Sequence, residues 1–204
     1  MIVGLTGSIA TGKSTVSAML SELGGVIIDA DKIVRQVQRP GEPAWREIVE
    51  FFGEEILLPN QELDRAKLGS LVFGNENNRQ RLNSIVHPRV RDERDRQTAE
   101  AVQANPQAVV IWDIPLLIET GIYKEVDKVV VVYVDPDTQL QRLLARDELS
   151  PEQAKSRIAA QMSIEQKKEY ADYLIDNRGS REETQAQVLA VWEALAALAE
   201  GSGE

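Results

Sequence analysis

Eight consecutive residues, Gly7-Ser8-Ile9-Ala10-Thr11-Gly12-Lys13-Ser14, match the pattern G-x-x-x-x-G-K-[ST] in full. Glycines at both ends let the backbone curl until its N–H groups point inward, where they can cradle phosphate oxygens. A helix beginning at Lys13 would add its positive end to the same spot. Lys13 is then expected to reach the β- and γ-phosphates of a nucleoside triphosphate, and Ser14 to offer its hydroxyl to Mg²⁺. Ala10, Thr11, Gly12 and Thr15 complete the expected nucleotide-binding set. Context supports this over a chance glycine-rich turn, because an apolar run leads in and a helical pattern leads out to Gly24, a helix-ending residue. No Asn-Lys-x-Asp segment follows a later strand, which argues against a guanine-specific switch protein.

Four other groups have types and positions suited to the same chemistry. Asp29 and Asp31 follow the second apolar run. A carboxylate there can take a proton from an attacking hydroxyl or hold Mg²⁺ through water, although a solvated turn with a capping aspartate has the same sequence. Asp113 ends the run Val109-Val110-Ile111-Trp112, where an acid can orient Mg²⁺; a buried structural aspartate is the alternative. Arg142 and Arg146 lie four apart on one helix face, with Arg157 further on. Arginine suits bidentate grip on phosphate, and Arg142 is the preferred candidate over a plain surface ion-pair ladder. Asn177 follows the last apolar run and is expected beside the nucleotide base.

The elements needed to position these groups are legible. Val- and Ile-rich runs at 2–5, 26–28, 108–112, 128–134 and 173–175 alternate with helical patterns, which predicts an α/β domain with five parallel strands. Val129-Val130-Val131-Val132 has no polar alternation, as a strand covered on both faces requires. Asp135-Pro136 and Ser150-Pro151-Glu152-Gln153 read as helix starts, the second a capping box. A last helix is expected over about 182–199, with residues 201–204 as a frayed tail. From Asp31 to Asn105 the pattern is helical without a strand, far longer than a simple crossover needs. The expected division is therefore a nucleotide-binding core at 1–31 and 106–200, including a lid near 143–160, and an inserted helical cap at 32–105. Trp45, Phe51 and Phe52 are expected to pack that cap, and His87-Pro88 to break a helix.

Composition narrows the class. The chain has 204 residues, no cysteine and a net charge of −10, which excludes disulfides and thiolate chemistry and disfavours nucleic acid as a partner. No apolar run approaches the roughly 20 residues of a membrane span. Met1-Ile2-Val3-Gly4-Leu5 reads as a first strand rather than a secretory leader, so the expectation is a cytoplasmic monomer without membrane contact. On so acidic a body, the positive charge for a phosphate pocket has to be local.

The order of blocks goes further. Leu5 through Thr15, Asp29-Ala30-Asp31, Leu63-Asp64-Arg65-Ala66-Lys67-Leu68, Leu82-Asn83-Ser84-Ile85-Val86-His87-Pro88 and Asp113-Ile114-Pro115-Leu116-Leu117-Ile118-Glu119 resemble the dephospho-CoA kinases, and the likeness covers residues 2–179. The resemblance implies a P-loop kinase fold with strand order 2-3-1-4-5, and transfer of phosphate from ATP, with Mg²⁺, to the ribose 3′-hydroxyl of dephospho-CoA. It implies Asp31 as general base and acceptor contact, with Asp29 assisting, Lys13 and Arg142 as catalytic groups, and Arg65 and His87 in the acceptor-binding cap. Ser8, Ala10 and Thr11 depart from the family's usual Gly, Gly and Ser, and a tighter loop is expected. A kinase for another small molecule and a non-catalytic nucleotide switch share the loop; the Asp-Ala-Asp and His-Pro segments count against the first, and Asp31, Asp113 and the arginines against the second.

Overall fold

A computed structural model describes residues 1–201. In chain order the elements are β1 (Ile2–Thr6), α1 (Lys13–Glu22), β2 (Val26–Asp29), α2 (Ala30–Val37), α3 (Pro43–Phe52), α4 (Arg65–Val72) and α5 (Glu76–Ala104). They continue with β3 (Val110–Asp113), β4 (Lys128–Tyr133), α6 (Pro136–Asp147), α7 (Pro151–Ala159), α8 (Ile164–Lys168), β5 (Tyr173–Asp176) and α9 (Arg181–Gly201). The strands form one five-stranded sheet in the order β2-β3-β1-β4-β5, the order that the family resemblance implies.

β1 lies at the centre, parallel to β3 (Leu5 opposite Asp113) and to β4 (Leu5 opposite Val130). Its position follows from its composition: Val3, Leu5 and Val130–Val132 are fully buried, so only an interior place satisfies them. α1 and α9 lay Val16, Met19 and Leu20 and Val188, Val191 and Leu195 into one core with the sheet residues Val3, Leu5, Val130 and Val132. Parallel order matters for chemistry, because the carboxyl ends of β1 and β3 then open on the same side.

The chain divides into two compact units, Met1–Ile28 with the chain from Glu100 onward, and Asp29–Ala99. The second boundary falls inside one continuous helix, α5, which no composition change marks. The Asp29–Ala99 unit has its own core of Ala44, Ile48, Ile56, Leu63, Leu68, Ile85 and Val86, and its only β feature among the described residues is an isolated bridge between Leu57 and Leu63. Trp45 and Phe52 pack against that core, but Phe51 does not: it is half exposed, edge-on to Phe52, with the Arg81 guanidinium 5.6 Å from its ring centre.

Two other expectations are corrected. Pro88 does not break its helix, since α5 runs on through it. Proline disturbs the hydrogen bonding of the preceding turn, and here the Arg89 guanidinium donates to the Ile85 carbonyl at 2.6 Å while pairing with Glu47. Gly201 belongs to α9 rather than to a tail, and the rest of the expected tail, 202–204, lies outside the described residues.

Candidate active site

The phosphate loop leaves β1 at Thr6 and enters α1 at Lys13, with Gly12 as the residue before the helix. Gly12 has φ +85°, a left-handed conformation, and a Cβ there would collide with the Asn177 amide. At Gly7 a Cβ would stand 2.6 Å from the Thr11 hydroxyl and 2.9 Å from the Val132 carbonyl, so the loop start is packed against β4 too closely for any side chain. The departure from the family's usual pattern is visible in the backbone. Ala10 has φ +63°, where glycine is at ease and alanine is strained.

The loop is hydrogen-bonded from within and without. Thr11 is fully buried; its hydroxyl and its N–H both donate to the Ser8 carbonyl, at 2.9 and 3.2 Å. From outside, Gln139 of α6 donates to the Ile9 carbonyl at 2.9 Å, and Gln161 accepts from the Ile9 N–H at 3.0 Å. The Ser8 hydroxyl donates to the Met162 carbonyl at 3.2 Å. Asn177 donates to the Thr11 carbonyl at 2.8 Å and accepts from the Thr184 hydroxyl at 2.8 Å, so its amide ties the loop to α9.

Inside this frame Lys13 forms an ion pair with Asp113, which is buried at the end of β3. The sequence-predicted phosphate lysine and metal acid are therefore brought together. Ser14 is exposed in the first turn of α1, with Thr15 half-buried beside it.

The arginines separate cleanly. Arg146 pairs with Asp147 through Nε (2.6 Å) and Nη2 (2.9 Å), and Arg157 donates to the same carboxylate at 3.1 Å. The Arg146 pair lowers the Asp147 pKa and raises that of Arg146. Arg142, half-buried on the same helix, has no carboxylate partner among the described residues.

In the Asp29–Ala99 unit, the two aspartates differ in the same way. Asp29 caps α2 and accepts from the Lys32 N–H at 3.0 Å, with the Lys32 ammonium 3.6 Å away. Asp31, exposed in the first turn of α2, has neither a hydrogen bond nor an ion pair among the described residues. Arg65 is exposed at the start of α4 and reaches the Gln38 side chain at 3.0 Å; His87 is exposed in the middle of α5.

Sequence reasoning missed the residues that brace the loop from behind. Lys167 of α8 is fully buried; it donates to the Pro115 carbonyl at 2.7 Å and to Glu119 at 3.0 Å. Burial lowers its pKa, the Glu119 hydrogen bond and charge oppose that, and the nearby Lys13 charge adds to the lowering. Residue type alone does not tell the buried Lys167 from the half-buried Lys168 beside it. The available signal is the helix phase set by the Ser163 capping box, which puts Ile164 and Lys167 on the buried face.

A family model described as dephospho-CoA kinase matches residues 1–183. The chain is 52% identical over 198 residues to a dephospho-CoA kinase of Geobacillus kaustophilus, covering 96% of this chain and 98% of that one. It is 53% identical over 193 residues to a dephospho-CoA kinase of Symbiobacterium thermophilum, covering 95% and 80%. Among solved structures, the dephospho-CoA kinase from Campylobacter jejuni superposes with a TM-score of 0.65 at 30% identity, over 95% of this chain and 96% of that one. A phosphate loop of complete pattern, a Lys13–Asp113 ion pair and a match over residues 1–183 lead to one conclusion: the chain belongs to the dephospho-CoA kinase family.

Proposed function

We propose that this protein transfers the γ-phosphoryl group of ATP to the ribose 3′-hydroxyl of dephospho-CoA, giving coenzyme A and ADP. The observation that carries the reading is a phosphate loop already hydrogen-bonded into shape within a chain of this family. Asp31 takes the hydroxyl proton as the oxygen attacks the γ-phosphorus; the bond from that phosphorus to the β–γ bridging oxygen breaks, and ADP leaves with the electron pair. The choice of Asp31 over Asp29 is supported by Asp29 being engaged as a helix cap.

The other roles follow from charge. Lys13 exchanges Asp113 for phosphate oxygens, Arg142 grips phosphate, and the loop N–H groups at Gly12, Lys13, Ser14 and Thr15 line the anion. Ser14 and Asp113 fit Mg²⁺, which needs only one or two protein ligands and keeps several waters. Bound there, Mg²⁺ would neutralise charge on the phosphates. Arg65 and His87 contact the acceptor, and the Asp29–Ala99 unit serves as its binding cap. A net charge of −10 suits a monomeric cytoplasmic enzyme of small molecules rather than a nucleic-acid binder; among the described residues no helix is long and apolar enough to cross a membrane.

The test is ADP release from Mg·ATP with and without dephospho-CoA, with the product weighed by mass spectrometry. The expected result is release that depends on dephospho-CoA, and a product heavier by one phosphoryl group. Tight ATP binding with no such dependence would overturn the acceptor assignment and leave nucleotide binding.

A further inference from the structure

A fully buried lysine is rare because removing its charge from water costs several kcal/mol unless the ammonium is well paired. Packed apolar side chains of similar volume often stabilise as much or more. A buried ammonium in the core unit therefore needs a reason beyond packing, and the contacts of Lys167 supply one.

Its two hydrogen bonds lead to the two sides of Gly7. One goes to the Pro115 carbonyl, which also accepts from the Thr6 hydroxyl at 3.0 Å; Thr6 is the last residue of β1. The other goes to Glu119, which accepts from the Met162 N–H at 3.0 Å, and the Met162 carbonyl accepts from Ser8 at 3.2 Å. Pro115 lies two residues beyond Asp113, so the first arm also fixes the segment that presents the Lys13 partner. Thr6, Ser8 and Asp113 are buried, so each arm ends in a place with little freedom.

We propose that Lys167 is a positioning residue for the phosphate site. With Glu119 as its counter-ion, it holds the loop entrance and the Asp113 segment in register before nucleotide arrives. This rests on the nucleotide half of the function proposed above and on nothing about the acceptor. Displacements of about 1 Å in such a site cost roughly 100-fold in rate, so a brace two bonds removed from the phosphates can control turnover.

The experiment compares wild type, Lys167→Met, Glu119→Gln and the double variant. Affinity for a non-hydrolysable ATP analogue with Mg²⁺ is measured by calorimetry, steady-state kinetics are measured in both substrates, and melting temperature is recorded. Lys167→Met is expected to weaken the analogue and lower kcat by about 10-fold or more each, with KM for dephospho-CoA within about twofold of wild type. Glu119→Gln keeps an oxygen for the Met162 N–H but removes the charge facing Lys167, and is expected to move both quantities the same way by less. The double variant is expected to be no worse than Lys167→Met, since the pair acts as one unit.

A folded Lys167→Met that binds the analogue and turns over like wild type, with only its melting temperature lowered, would overturn the proposal. If Lys167→Met does not fold, Glu119→Gln decides, and unchanged affinity and kcat overturn it equally. The calorimetric arm needs no acceptor, so it decides the matter even where the dephospho-CoA assignment fails.

Discussion

The core unit and the Asp29–Ala99 unit treat their polar groups in opposite ways. In the core, Lys13, Asp113, Lys167 and Glu119 are paired in two ion pairs, and the loop they surround receives hydrogen bonds from α6, from Gln161 and from Asn177. In the other unit Asp31 and His87 are exposed, and Arg65 has one neutral neighbour, Gln38. The difference teaches where organisation comes from. An anion site can be built in advance because backbone N–H groups and buried charges hold each other. On the function proposed above, the exposed side chains of the Asp29–Ala99 unit stay hydrated until the acceptor arrives.

The largest effect that would break this comparison lies with the two aspartates. Asp31→Asn is expected to lower kcat by about 100- to 10,000-fold, the usual contribution of a general base, while melting temperature and ATP affinity stay near wild type. Asp113→Asn is expected to lose activity and also about 2 kcal/mol of stability, because Lys13 then lacks its buried partner. Steady-state kinetics with thermal melts separate the cases. An Asp31 variant that turns over normally would remove it as the base. An Asp113 variant as stable as wild type would show that the core is less committed in advance than its contacts indicate.

The same contrast recurs on one helix. Arg142→Ala is expected to weaken ATP by about 10- to 100-fold, the worth of a charge-assisted hydrogen bond or two to phosphate. Arg146→Ala is expected to change it by less than about threefold, because Arg146 is exposed and already held by Asp147. ATP titration of both variants checks the order; a reversed order would move the phosphate grip to Arg146.

The five strands, the loop and the places of Asp31, Asp113 and Arg142 on their elements were legible because each depends on local pattern, whereas the sheet order came from the family resemblance. That Arg142 has no carboxylate partner among the described residues was not legible, and neither was the pairing of Asp147 with both Arg146 and Arg157. Asn177 was read as a base-side residue, and its hydrogen bonds to the loop and to Thr184 of α9 were not foreseen. Pro88 misled as well. α5 runs on through it, and the Arg89 contacts beside it include Glu47, which is far away in sequence.

In the Asp29–Ala99 unit Glu93 is held far more tightly than Asp31. Glu93 accepts from Arg96, Gln97 and Gln36, tying α5 to α2. The Arg96 hydrogen bond, then that of Gln97, with smaller help from the Arg96 charge and Gln36, hold its pKa at about 2 against the opposing effect of burial. A carboxylate depressed in the folded state stabilises fully above its unfolded value of 4.5, and that stabilisation is lost as pH falls from 4.5 toward about 2. Wild type is therefore expected to lose stability over this window faster than Glu93→Gln, as seen in denaturant melts at pH 5 and pH 3. Equal losses would mean that Glu93 is no more organised than Asp31.

The smallest expected effect concerns a place where the core's advance organisation works against its own backbone. Ala10 sits at φ +63°, a conformation that costs an alanine roughly 1 kcal/mol over glycine. Ala10→Gly removes that strain but gives the unfolded chain more freedom, which returns about 0.5–1 kcal/mol. The net change in stability is expected to lie within about 0.5 kcal/mol of zero by denaturant titration. ATP affinity is expected to be unchanged within about twofold, because Gln139 and Gln161 hold the Ile9 backbone from both sides whichever residue follows. A gain above about 1 kcal/mol would mean that alanine strains more of the loop than its own φ. A loss of affinity would mean that the Cβ, and not the surrounding hydrogen bonds, sets the loop's shape.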